Sequence, residues 1–235
     1  MQTRVEIADF ENWRVVAEEA AKVLRAGEVV ALPTETVYGL GADAFNAEAV
    51  ARVFEAKGRP SFDPLIVHIA GIRDLQRVAV VSEELEDVVR QLAKAFWPGP
   101  LTMVLPKHDD VPDLVTSGLP TVAVRVSKHE VMRLLTKELG PIAAPSANRF
   151  GRISPTSASA VLTELNGRIP LIVDGGACSN GLESTIIAVE VGEKRPVLRL
   201  LRPGPVTREE LQKFGKVPRA CLLYTSDAAD EGVSV

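Results

Sequence analysis

Short apolar runs of strand length alternate along this chain with longer amphipathic stretches of helical period, and that alternation places the fold in the α/β class. Residues 28–32 (EVVAL), 65–69 (LIVHI), 101–105 (LTMVL), 121–126 (TVAVRV), 142–144, 171–174 (LIVD), 184–189 and 197–201 read as strands. Between them, residues 11–26, 47–57, 83–96 and 129–139 carry apolar side chains at helical spacing. The punctuation agrees. Gly27 is placed to end the first helix in a left-handed conformation, Asn46 and Gly58 bracket the second, and Ser82 caps the third. Thr207 with Glu210 three residues on makes a capping box for a final helix. Trp97-Pro98-Gly99-Pro100 is a turn, and residues 145–159 form a long polar loop that runs into another helix. No repeat is visible, so strand order is not readable from spacing. Aromatics are only 5% of the residues, so the core must be built from Val, Leu, Ile and Ala, as suits strands covered by helices.

The 235 residues, 46% hydrophobic and 25% charged, fit one large α/β domain at residues 1–215 with a tail at 216–235. Two cysteines cannot make a disulfide framework or a multi-thiolate metal site. The N-terminal residues lack the basic and apolar regions of a secretory signal, and no apolar run nears the ~20 residues needed to span a bilayer. A cytoplasmic protein without a membrane contact is expected. The net charge of −4 is concentrated at one end: residues 220–235 hold three acids and no Lys or Arg. The rest is close to neutral, so any polyanion site must be local. That final stretch, ACLLYTSDAADEGVSV, departs from the preceding pattern and resembles translated cloning sequence.

Four segments at the ends of strands or helices carry the chemistry, where α/β folds place ligands. Pro33-Thr34-Glu35-Thr36-Val37-Tyr38-Gly39-Leu40-Gly41 joins two threonines to two glycines that admit close backbone approach. Lys57-Gly58-Arg59-Pro60 sets two cations around a glycine, a point charge and a two-pronged fork suited to phosphate oxygens. Ala144-Pro145-Ser146-Ala147-Asn148-Arg149, followed by Gly151-Arg152-Ile153-Ser154, offers small hydroxyl and amide groups suited to phosphate or ribose. Gly181-Leu182-Glu183-Ser184-Thr185-Ile186-Ile187 is a strand with a polar start. Each has a bland reading alone: a turn, a helix-dipole lysine, an N-cap, a solvated edge. No Walker loop is present.

Together and in order, PTETVYGLG, KGRP, PLIVHI, APSAN, ESTI and LRPG resemble the threonylcarbamoyl-AMP synthase (YrdC-like) family, over about residues 10–210. The resemblance implies an open, twisted mixed sheet with flanking helices and a concave ligand face. It implies a nucleotidyltransferase that makes threonylcarbamoyl-adenylate from L-threonine, bicarbonate and ATP with Mg2+. A downstream transferase complex would then modify an adenosine of tRNA next to the anticodon. The family pattern assigns catalysis to Lys57, Arg59, Ser146 and Asn148. It adds Asp63, Thr121, Ser154 and Arg202 to these as ATP contacts, Asp63 standing where the family often has asparagine. Thr34, Thr36, His68, Arg125, Ala144 (through its backbone) and Ser184 would surround threonine. Some family members add a C-terminal domain through a linker, so the tail reads either as non-native sequence or as a truncated linker.

On this reading Lys57 and Arg59 serve the phosphates with Mg2+ bridging them, and Ser146 and Asn148 orient the nucleotide. Arg125, a long cation beside apolar neighbours, clamps the threonine carboxylate. No residue is an obvious general base, His68 included. The reading requires the four segments to meet in one pocket, so Lys57 and Asn148 on opposite sides of the molecule would exclude it. Two rivals differ in class. A hydrogenase-maturation carbamoyltransferase needs further domains and Cys-rich zinc modules that this chain has no room for. A non-catalytic double-stranded RNA or tRNA module should show exposed aromatics for stacking, and no such cluster is present. Weak RNA binding could still accompany catalysis.

Overall fold

A computed structural model describes residues 2–58 and 63–218. Arg59 and the tail from residue 219 lie outside the described residues. The strands are β1 (Arg4–Ile7), β2 (Val30–Leu32), β3 (Gly39–Asp43), β4 (Ile66–His68), β5 (Leu101–Pro106), β6 (Thr121–Arg125), β7 (Ile142–Ala143), β8 (Leu171–Asp174), β9 (Thr185–Glu190) and β10 (Val197–Arg202). They form one mixed sheet in the order β1-β8-β2-β3-β7-β4-β6-β5-β9-β10. The pairs β1/β8, β2/β8, β4/β6 and β5/β9 are parallel and the others antiparallel.

The helices are α1 (Trp13–Arg25), α2 (Ala47–Lys57), α3 (Glu83–Phe96), α4 (Asp113–Thr116), α5 (Glu130–Leu139), α6 (Ala158–Leu165) and α7 (Arg208–Leu211). α1 and α5 pack together over the β8-β2-β3 part of the sheet, with Leu24, Leu135, Leu32 and Val173 in one buried cluster. α2, α3, α4 and α6 cover the opposite face through a larger cluster that includes Val53, Leu92, Val115 and Val161. Period-two alternation divides each strand between these faces. In β6, Val122 and Val124 enter the larger core, which leaves Thr121, Ala123 and Arg125 on the other side. In β4, Val67 does the same, leaving Ile66 and His68. Among the described residues no helix packs on that second face across β4, β6, β5 and β9, where Ile66, Val104, Ala123, Ile186 and Ala188 are half-buried. This face is open to a ligand.

Most element assignments match the sequence reading, and the differences have local causes. β3 lies within the stretch read as a loop. Its Gly41 is forced by packing, because a Cβ there would sit 2.8 Å from Leu32 Cδ1 and 3.1 Å from Ile142 Cγ2. Glycine weakens a strand pattern when read from sequence and marks close approach in the fold. β1, an edge strand with mostly exposed residues, and α4 carry too little apolar signal to stand out. Ser82 precedes α3, but its side chain makes no cap hydrogen bond. The caps of α2 hold: Asn46 accepts from Glu48 N and Ala49 N, each at 3.1 Å, and Gly58 closes the helix at φ 59°. These caps fix Lys57 as the last residue of α2. The capping box of Thr207 and Glu210 is also complete. Among the described residues no helix is long and apolar enough to cross a membrane.

Candidate active site

Hydrogen bonds join the four segments into a ring. The Lys57 ammonium donates to the carbonyls of Ser146 and Asn148, and the residue is only 2% exposed. The 145–148 stretch is stitched to the 38–40 stretch by Leu40 N to Pro145 O at 2.7 Å and Ala147 N to Tyr38 O at 2.8 Å. Gly39 permits this approach, since a Cβ on it would meet Ala144 Cβ at 3.2 Å. From Tyr38 the segment leads back to Thr36, which accepts from Arg125 Nη1 at 2.8 Å. Arg125 Nε donates to Gly99 O at 3.1 Å, and the next carbonyl, that of Pro100, receives Thr185 N at 2.9 Å. Ser184 bonds Thr102 Oγ1 at 2.8 Å and accepts from Arg202 Nη2 at 2.9 Å. Arg202 also faces Glu183 at 3.3 Å, and Glu183 accepts from Ser154 Oγ at 2.6 Å. Tyr38 N closes the circuit on Pro155 O at 2.8 Å.

Lys57 and Asn148, whose separation would have excluded a common pocket, are therefore in contact. Thr34, Thr36, Arg125, Ala144, Ser146, Ser154, Ser184 and Arg202 belong to the same circuit, and His68 is the β4 neighbour of Arg125 in register. Ala144 N is used in the fold, bonded to Ile66 O at 2.8 Å. Thr121 stands at the other end of β6 from Arg125, roughly 13 Å away at strand rise. It shares the open face with Arg125 without joining the ring. Asp63 is half-buried on the chain leading into β4.

The local chemistry differs from the sequence reading at three points. Arg125 is no isolated cation among apolar neighbours: its Nη2 meets Glu35 Oε1 at 2.7 Å, with both side chains buried. Glu35 and Glu183, passed over in the sequence, are structural members of the ring. The clue to Glu35 was a carboxylate in a segment that turns inward, which demands a buried cation. Finally, the Lys57 ammonium is held against backbone carbonyls rather than presented bare.

The Thr34 hydroxyl is fully engaged. Its Oγ1 donates to Val37 O at 2.6 Å and accepts from Thr36 N at 3.1 Å and Val37 N at 3.2 Å, which uses its proton and both lone pairs. Thr36 Oγ1 lies 3.0 Å from it and accepts from Arg125 Nη1, keeping one lone pair. His68 is neutral: burial first, then the Arg125 charge, brings its pKa down to about 3, and its Nδ1 has no partner among the described residues. Asn148 donates from Nδ2 to Arg149 O at 2.8 Å and Arg152 O at 2.6 Å, while its buried Oδ1 has no partner among the described residues. Unsatisfied buried acceptors are costly unless a ligand completes them. Among the described residues, no group of three or more His, Cys, Asp or Glu side chains converges to hold a metal.

An open mixed sheet whose uncovered face ends in a closed ring of loops, rich in hydroxyls, amides and buried cations, defines a small-ligand-binding α/β protein. The chain belongs to the Sua5/YciO/YrdC family, described as "Telomere recombination", whose model matches residues 22–204. It is 50% identical over 205 residues to a Pyrococcus abyssi protein named threonylcarbamoyl-AMP synthase, covering 87% of this chain and 58% of that one. A Bacillus subtilis protein of the same name is 50% identical over 196 residues, 83% of this chain and 55% of that one. The chain thus spans less than two thirds of these curated relatives. It also aligns at 34% identity over 223 residues, 95% of itself, with the whole of a Mycobacterium tuberculosis protein named putative threonylcarbamoyl-AMP synthase. Among solved structures, P. abyssi Sua5 complexed with L-threonine superposes with a TM-score of 0.81 at 46% identity, covering 93% of this chain and 63% of that one. E. coli YciO, at 21% identity and a TM-score of 0.72, covers 91% of this chain and 98% of its own and shares the fold. The names of these relatives do not favour the RNA-module reading.

Proposed function

We propose that this chain is a cytoplasmic nucleotidyltransferase that converts L-threonine, bicarbonate and ATP to threonylcarbamoyl-adenylate and pyrophosphate. The product would be passed to a tRNA-modifying transferase complex. The observation that carries this reading is the ring itself, which sets the Lys57 and Ser146–Asn148 corner beside the Thr36, Arg125 and His68 corner. A triphosphate at the first and an amino acid at the second would lie next to each other.

The neutral amine of threonine first adds to CO2, formed from protonated bicarbonate by loss of water; the N–C bond forms as the amine gives up a proton to solvent, giving N-carboxy-threonine. A carbamate oxygen then attacks the α-phosphorus of ATP as the bond to the pyrophosphate oxygen breaks, so that pyrophosphate leaves. Positioning and electrostatics supply most of such catalysis. Lys57 lends its charge to the 146–148 backbone, where Ser146 and Asn148 would meet the nucleotide; the family pattern adds Arg59, which lies outside the described residues. The unpartnered Oδ1 of Asn148 is suited to a donor on the base or ribose. Arg202 and Ser154, tied through Glu183, together with Thr121 and Asp63, extend the nucleotide surface. Mg2+ would arrive with the ATP substrate and would offset the charge of its phosphates.

At the amino-acid corner, Arg125 donates hydrogen bonds from Nε and Nη1 and pairs its Nη2 with Glu35 by charge, so guanidinium N–H groups remain for the substrate carboxylate. The free lone pair of Thr36 and the Nδ1 of neutral His68 suit the amine or hydroxyl. With its proton affinity so reduced, His68 is a hydrogen-bonding group rather than a base at neutral pH. Preferring threonine to serine rests on one methyl group, worth ~1–3 kcal/mol. The test is pyrophosphate release from ATP. It should require both threonine and bicarbonate, and release independent of threonine would overturn the reading.

A further inference from the structure

The buried carboxylate of Glu35 has more partners than a simple counter-ion needs. Oε1 meets Arg125 Nη2 at 2.7 Å, and Oε2 accepts from Ser127 Oγ at 2.6 Å and Lys128 N at 3.0 Å. The Glu35 carbonyl accepts from Asn180 N at 2.8 Å. One residue therefore pins the end of β6 and the 178–180 loop to the Thr34–Thr36 turn. Its pKa is held below the ordinary carboxylate range: burial raises it, but the Arg125 charge and the bonds from Ser127 and Arg125 outweigh that. The pair stays ionised, and the charge contact holds the Arg125 Nη2 end against the carboxylate.

What distinguishes this pair from a scaffold ion pair is its next neighbour. The Arg125 guanidinium, which faces Glu35 through Nη2, also donates from Nη1 to Thr36 Oγ1. We propose that Glu35 is a positioning residue for the amino-acid substrate: it orients the Arg125 guanidinium and, through it, fixes Thr36 as a hydrogen-bond acceptor. This rests on the reading of the Arg125 corner as the threonine site. Without Glu35, Arg125 would be a buried cation lacking a counter-charge and would turn toward other acceptors. A flexible guanidinium would then lose its alignment with a carboxylate, at a cost in amino-acid affinity rather than nucleotide affinity.

Glu35→Gln keeps the shape and lets an amide oxygen still face Ser127 and Lys128, but turns an amide N–H toward the donors of Arg125. L-threonine and ATP binding would each be measured by calorimetry on the whole chain, for wild type, Glu35→Gln, Arg125→Ala and the double variant. Glu35→Gln is expected to weaken threonine about tenfold or more, leave ATP within about twofold, and add nothing in the Arg125→Ala background. Ser127→Ala, which removes one anchor and keeps the charges, should weaken threonine to a smaller degree, and it decides the matter should Glu35→Gln not fold. Wild-type protein that binds no threonine sinks the functional reading and this inference with it. Wild-type binding with unchanged affinity in Glu35→Gln or, failing that, Ser127→Ala leaves the reading standing and overturns the inference. So do equal losses for both ligands, or additive losses in the double variant.

Discussion

The ammonium of Lys57 and the backbone carbonyl of Asn148 are hydrogen-bond partners, the one at the end of α2 and the other in the loop after β7. A helix terminus and a distant loop are thus joined by a buried charge, alongside the bond from Phe150 N to Lys57 O at 2.9 Å. Removing that charge should cost both structure and turnover. Lys57→Met keeps the bulk of the stem but leaves the carbonyls of Ser146 and Asn148 without this donor. Stability is expected to fall by about 1–3 kcal/mol in urea unfolding. Threonine-dependent pyrophosphate release should drop about 100-fold or more. Near-normal turnover would remove Lys57 from the nucleotide site.

Gly204 lies against the backbone of the Glu183–Thr185 segment. A Cβ there would stand 2.5 Å from Thr185 N and 2.6 Å from Glu183 O, atoms that cannot swing aside. Gly204→Ala should therefore lift the loop that carries Arg202 off Ser184. The expected outcome is a stability loss of about 1–3 kcal/mol and a higher ATP requirement. An unchanged unfolding midpoint together with an unchanged KM for ATP would show that the loop adapts without moving Arg202.

The neutral state of His68 makes a pH prediction with a definite sign. Its folded pKa, about 3, lies below the ordinary 6.5. As pH falls from about 6.5 toward 3 the unfolded chain takes up a proton that the fold refuses, so stability declines by up to about 1.4 kcal/mol per pH unit. Above that window His68 contributes nothing to the pH dependence. His68→Gln should be less sensitive to acid than wild type when unfolding is compared across this range. The imidazole resonances should stay flat between about pH 5 and 8, and a midpoint near 6.5 would refute the assignment.

Chelation separates a substrate-borne metal from a resident one. EDTA should abolish pyrophosphate release, because the triphosphate loses its Mg2+, and leave the melting temperature of the ligand-free protein unchanged. A lower Tm on chelation would point to a metal bound by the fold itself.

Local signals were sufficient wherever one segment settles its own structure. The span of α2 follows from Asn46 and Gly58, and the last capping box follows from Thr207 and Glu210. Motif order was enough to name most members of the ring. It did not give their partners. Arg125 looked solitary because its counter-ion, Glu35, belongs to another segment. Lys57 looked like a surface cation because the carbonyls that hold it come from residues 146 and 148. β3 was hidden because Gly39 and Gly41 lower its strand signal for a reason visible only in three dimensions.

The sequence by itself determined which stretches become helices and strands and which residue types can meet a phosphate or an amino acid, since these depend on neighbours a few positions apart. Tertiary structure decided which charges are paired, which hydroxyls have protons to give, and that His68 is neutral. Those properties depend on burial and on the electrostatic field of residues far away in the chain, and no local pattern encodes them.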